Sequence, residues 1–154
     1  MKVNNWKDIK EKGLFRYILI DSIVTRMIPL GVILFLIFNI LNILNYGFES
    51  INFNSLLIEI FVVLIIFSIL GFLFGILNWK YNENFSNLNK DEIKTGFILI
   101  NGILGWGIPI FIIDFLSRDE LSISFFFISL IIWVLVGYFF GKFLFSGIKD
   151  NLGD

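Results

Sequence analysis

Four long apolar runs, residues 17–44, 56–79, 97–116 and 121–145, occupy most of this chain and are separated by short polar stretches. A hydrocarbon core about 30 Å thick is crossed by a helix of about 20 mainly apolar residues. Lipid offers backbone N–H and C=O groups no partner, so only helices and closed barrels can span it. A barrel needs short segments of alternating polarity, whereas these runs are continuous and too long. The runs therefore predict an all-α integral membrane protein with four transmembrane helices. Composition agrees: 57% of residues are hydrophobic, 20 are Phe and only 16% are charged, too few charges to cover a soluble domain of this size.

The runs are also related to one another. Residues 17–36, YILIDSIVTRMIPLGVILFL, align without a gap on residues 97–116, FILINGILGWGIPIFIIDFL, with nine of 20 pairs identical and Ile28-Pro29 in register with Ile108-Pro109. Residues 64–75, LIIFSILGFLFG, align on 130–141, LIIWVLVGYFFG, with six of 12 identical. The first offset is 80 and the second 66, because the first pair of helices has the longer linker. Such internal similarity predicts a duplicated two-helix unit, the first over residues 1–83 and the second over 84–154.

Charge sets the expected topology. Lys2, Lys7, Lys10, Lys12, Arg16 and Arg26 precede or begin the first run, Lys80, Lys90 and Lys94 lie between the second and third, and Lys142 and Lys149 close the fourth. That is eleven of the 12 cations; only Arg118 falls on the other side. The positive-inside rule then puts both termini and the central loop in the cytoplasm. With two spans per unit, both units insert in the same sense, as a tandem parallel repeat. The charged start MKVNNWKDIKEKG lacks the compact apolar stretch and cleavage site of a removable signal. Trp6 and Ile9, three apart among lysines, suit either a short helix on an anionic leaflet or an ordinary polar flank with an aromatic anchor.

Much chemistry is excluded. The chain has no Cys and no His, which removes disulfides, thiol catalysis and the commonest general base and metal ligand. Neither a catalytic residue set, a cofactor, a metal nor a nucleic-acid partner is expected. Asp114, Asp119 and Glu120 could form an acidic cluster, but the SRDE stretch at 117–120 reads more simply as the polar turn joining two helices.

Two groups of residues stand out. Gly71 and Gly75, and their repeat mates Gly137 and Gly141, are four apart on one helix face, a spacing that lets helices in lipid approach closely. We expect these seams to pack helices and to join the two units, with Gly71 near Gly137. The second group is Asp21, Arg26, Pro29, Asn101, Trp106 and Pro109. Three glycines and Pro109 interrupt the third run, and Pro109 presses on the carbonyl of Gly105, which predicts a kink. Matching interruptions in two repeats point to a transporter's central site, though Gly and Pro are frequent in all membrane spans. Asp21 and Arg26 would then lie within the membrane, or else on a cytoplasmic overhang of a first helix too long for the bilayer; the overhang is the reading we adopt. Glu59 and Asp114 are expected at the outer interface. Asn39, Asn42 and Asn45 form a polar stripe suited to bonding neighbouring helices.

The pattern Trp6-x-x-Ile9-Lys10-x-Lys12-Gly13-x-x-x-Tyr17-Ile18-Leu19, with the Gly-rich helix ends, resembles a group of uncharacterised small membrane proteins of Gram-positive bacteria. First-unit residues Thr25, Arg26 and Met27 depart from the Gly-Trp-Gly that the second unit keeps at 105–107. The resemblance implies a bacterial plasma-membrane setting and no activity. Two readings remain: a non-enzymatic protein of accessory, immunity or stress type that acts through contacts with a membrane-protein partner, or a small homo-oligomeric transporter or channel.

Overall fold

The computed structural model describes residues 3–47, 53–117 and 122–149, and every regular element among them is helical. α1 covers Val3–Lys12, α2 Leu14–Tyr46, α3 Phe53–Asn84, α4 Lys90–Leu116 and α5 Ile123–Lys149. The last four are long and apolar enough to cross a membrane, which makes this a multi-pass membrane protein.

Local chemistry sets the helix ends. Gly13 and Gly47 adopt φ of 83° and 80°, a region that side chains disfavour, and they separate α1 from α2 and close α2. α4 opens on a capping box: the Asn89 side chain accepts from the Glu92 N–H at 2.9 Å, and Glu92 accepts from the Asn89 N–H at 2.8 Å. After α3 a single 3₁₀ turn, Phe85–Asn87, leads to that cap. The Tyr81 hydroxyl donates to the Ile93 carbonyl at 2.8 Å, and its ring lies on Gly96, where an added Cβ would sit 2.5 Å from it. These contacts tie the end of α3 to α4. The chain accordingly divides into compact units Met1–Ile76 and Leu77–Asp154, whereas sequence alone puts the boundary at 83/84.

Both first helices widen near their starts. Tyr17–Met27 of α2 and Ile98–Gly107 of α4 are π-helical, and each closes on an i→i−5 bond, Ile28 N–H to the Ile23 carbonyl and Ile108 N–H to Ile103. π-Helix usually occurs as single turns, so runs of 11 and 10 residues call for a cause. α-Helix resumes at Ile28 and Ile108, which puts Pro29 and Pro109 in a first turn, where a missing N–H costs least. The interruption expected at Pro109 thus takes the form of a widened stretch ahead of it, and the same occurs ahead of Pro29.

Packing supplies the second cause. Ile18, Ser22, Ile23 and Met27 all lie against α3. Ile18 and Met27 are nine residues apart, about two and a half turns of α-helix, which would set them on opposite faces. At about 4.4 residues per turn a π-helix brings them back to one face after about two turns. The wide turn lets one continuous stripe meet the partner helix.

Candidate functional site

The two glycine pairs sit where neighbouring helices approach closely. A Cβ on Gly71 would lie 2.9 Å from the Cα of Ile23 and 3.2 Å from the Cβ of Met27; on Gly75 it would lie 2.8 Å from the Ser22 hydroxyl and 3.1 Å from Ile18. In the second unit, a Cβ on Gly137 would lie 3.0 Å from the Cα atoms of both Ile103 and Gly107, and on Gly141 2.9 Å from the Cα of Gly102 and 3.1 Å from that of Ile98. Shifted by 80, Ile18, Ser22, Ile23 and Met27 become Ile98, Gly102, Ile103 and Gly107. Four seam contacts therefore recur at corresponding positions.

This corrects one expectation. Each glycine face is occupied by the first helix of its own unit, so the seams close the two hairpins internally and are not free to join the units. The physical reason lies in the stripe on the π-helical stretch: Ile18, Ser22, Ile23 and Met27, or Ile98, Gly102, Ile103 and Gly107, sit against the space that the glycines of the following helix leave open.

The transport candidates fall partly into the same scheme. The Arg26 guanidinium lies over the Phe74 ring, 4.3 Å from its centroid, a cation–π contact. Its mate Trp106 packs edge-on against Phe140, the mate of Phe74, with centroids 5.0 Å apart. Arg26 and Trp106 thus fill equivalent positions, each beside its own glycine seam. Pro109 is buried and Pro29 exposed; Asn101 is half-buried and Asp21 exposed. Asp21, Arg26 and Pro29 belong to the first unit, and Asn101, Trp106 and Pro109 to the second.

A polar cluster that sequence reasoning missed lies farther along the second seam. One carboxylate oxygen of Asp114 accepts from the Ser129 hydroxyl at 2.6 Å and from the Trp133 indole N–H at 3.0 Å. Ser129 is buried. Asp114 is thus bonded to α5 and is not merely an interfacial group. The repeat held the signal: by the same offsets Asp114, Ser129 and Trp133 replace Leu34, Val63 and Phe67, all three buried and apolar. Three polar substitutions in one unit mark residues that meet. Asp119 and Glu120, the remaining members of the acidic stretch, lie outside the described residues. Among those described, no three His, Cys, Asp or Glu side chains gather in a way that could hold a metal ion.

Of the asparagine stripe, Asn39 donates to the Phe35 carbonyl of its own helix at 2.9 Å, while Asn42 and Asn45 are exposed. Glu59 is exposed as well. The seams themselves have no room for a ligand. The Ser22 hydroxyl is buried against Gly75 with no hydrogen-bond partner, and Gly102 meets the backbone of Gly137 and Gly141 directly. Compared with protein-family models, with curated proteins and with solved structures, the chain matches none.

Proposed function

We propose that this chain is a non-enzymatic cell-membrane protein, with both termini and the loop after α3 in the cytoplasm, that acts through contacts with another membrane protein or with copies of itself. An accessory, immunity or stress role in a bacterial plasma membrane fits this reading, as does the resemblance to small proteins of Gram-positive bacteria. The carrying observation is that each hairpin is closed tightly at its glycine seam, by backbone against backbone in the second and by backbone against Ile18, Ser22, Ile23 and Met27 in the first, which leaves no room for a ligand at either seam. What each leaves available is an outer surface of large apolar side chains, among them Phe61, Ile65 and Phe72 in one and Phe127, Ile131 and Phe139 in the other. The recurrence of seam contacts supports descent of both hairpins from one duplicated unit inserted twice in the same sense.

The test is in-cell crosslinking of tagged protein, followed by purification in mild detergent and identification of what accompanies it. A stoichiometric membrane partner or a defined homo-oligomer is expected; a lone monomer overturns the reading. Single cysteines at Ser50 and Ser86 should label from outside and inside respectively, and the reverse pattern overturns the orientation.

One observation favours a second reading, a small homo-oligomeric transporter or channel. Both first helices are π-helical directly ahead of a proline, and π segments recur at functional sites. If it holds, proteoliposomes of the homo-oligomer release trapped solute, and Asp21→Asn and Pro109→Ala alter that release.

A further inference from the structure

α1 is the one described helix that is neither long enough to span a membrane nor part of a span. It ends one residue before α2, at Gly13, whose left-handed backbone stops α1 from running on into the span. A Cβ at Gly13 would meet nothing within 4 Å, so glycine is needed there for the turn and not for space. The Trp6 ring meets Tyr17 edge-on at 6.1 Å and holds α1 against the first turns of α2.

On those turns Leu14, Phe15, Leu19 and Ile20 are exposed, Phe15 at 75%, beside the exposed charges of Arg16 and Asp21, a mixture suited to the boundary between acyl chains and headgroups. α2 has 33 residues, at most about 50 Å at the α-helical 1.5 Å per residue and less over its 11 π-helical residues, close to the 40–45 Å or so of a bilayer with its headgroup layers once a tilt of about 20° is allowed. That length is compatible with a start of α2 among the headgroups, and with α1 lying beside it.

The register of α1 suits that place. At about 100° per residue, Lys12, Ile9, Trp6 and Lys10 follow one another around an arc of about 160°. An apolar pair is therefore flanked by a lysine on each side. Glu11 falls on the opposite face and Asp8 beyond Lys12. Trp6 and Ile9 are half-buried, while Lys10, Lys12, Asp8 and Glu11 are exposed. Cations beside the apolar stripe and acids away from it are the arrangement of a helix lying on an anionic surface.

We propose that α1 is an interfacial helix that binds the anionic lipid headgroups of the leaflet from which α2 enters, with Trp6 and Ile9 inserted at the acyl boundary and Lys10 and Lys12 on the phosphates. The native chain contains no Cys, so a single Ile9→Cys or Glu11→Cys in the full-length protein can carry an environment-sensitive fluorophore. Both are reconstituted in nanodiscs of phosphatidylcholine alone or mixed with phosphatidylglycerol. With phosphatidylglycerol, the label at position 9 should be quenched from within the lipid and the label at 11 from water. High salt should reverse this, and each Lys→Gln change at 10 or 12 should lower the bound-to-free ratio of α1 on the bilayer about fivefold. The proposal is overturned if position 9 is quenched from water as readily as position 11. It is equally overturned if position 9 is protected alike in both lipids and at all salt concentrations, which assigns its cover to protein.

Discussion

Gly102→Ala puts a methyl group where α5 already is. Its Cβ would meet the Gly137 carbonyl oxygen and come within 2.7 Å of the Gly141 Cα, whereas ordinary contact begins at 3.4 Å. The helices must therefore part by at least 3.4 less 2.7, about 0.7 Å, and both obstructing groups are backbone that cannot rotate aside. Overpacking costs about 1–3 kcal/mol, and the upper half of that range applies; Ala returns about 1 kcal/mol over Gly in a helix. The net expectation is a loss of about 1–2 kcal/mol. Gly147→Ala is the control, since nothing lies within 4 Å of its Cβ, and it should be neutral or stabilising by up to about 1 kcal/mol. Gly141→Ala would press on the Gly102 Cα at 2.9 Å, the same contact from the other side. Once one methyl has parted the helices the second costs less, so the double variant should fall short of the sum by about 1 kcal/mol. Equilibrium unfolding in detergent with a rising fraction of dodecyl sulfate, followed by circular dichroism, gives all four values. Should Gly102→Ala behave like Gly147→Ala, or the double variant be additive, the backbone-contact argument is wrong.

Three further outcomes follow from the geometry. Ser22→Ala removes a buried hydroxyl that has no partner, so stability measured in the same way should rise, by up to about 1 kcal/mol; a loss of that size would show that the hydroxyl is bonded. Asp114→Leu should cost about 1–3 kcal/mol by stranding the Ser129 and Trp133 donors, and adding Ser129→Val and Trp133→Phe, the first unit's own residues, should restore most of it. Single cysteines at 18, 22 and 27 should resist a membrane-permeant thiol reagent while those at 19, 20 and 24 react; protection of 18 but not 27 would indicate ordinary α-helix.

The spans were legible in sequence because lipid leaves an apolar run of that length one solution, and the glycine pairs because close packing in lipid needs small residues. Their partners were not, since a repeat of four residues says which face is small but not which helix meets it. The π-helical stretches escaped for a related reason: their stripe, with gaps of four and five, is not the period that an α-helix reading seeks. Asp114 looked interfacial from its distance to Ser117. Only comparison with Leu34, and of Ser129 and Trp133 with Val63 and Phe67, shows that its donors arrived together.

The central claim is that one hairpin geometry occurs twice, and pairs of engineered cysteines test it most directly. Ile23→Cys with Gly71→Cys, and Ile103→Cys with Gly137→Cys, occupy corresponding places, with an added glycine Cβ 2.9 and 3.0 Å from the facing Cα. Under mild oxidation both pairs should form an intrachain disulfide, while Ile20→Cys with Gly71→Cys, on an exposed face, should not. Crosslinking in one hairpin but not at the matching position of the other would contradict the account.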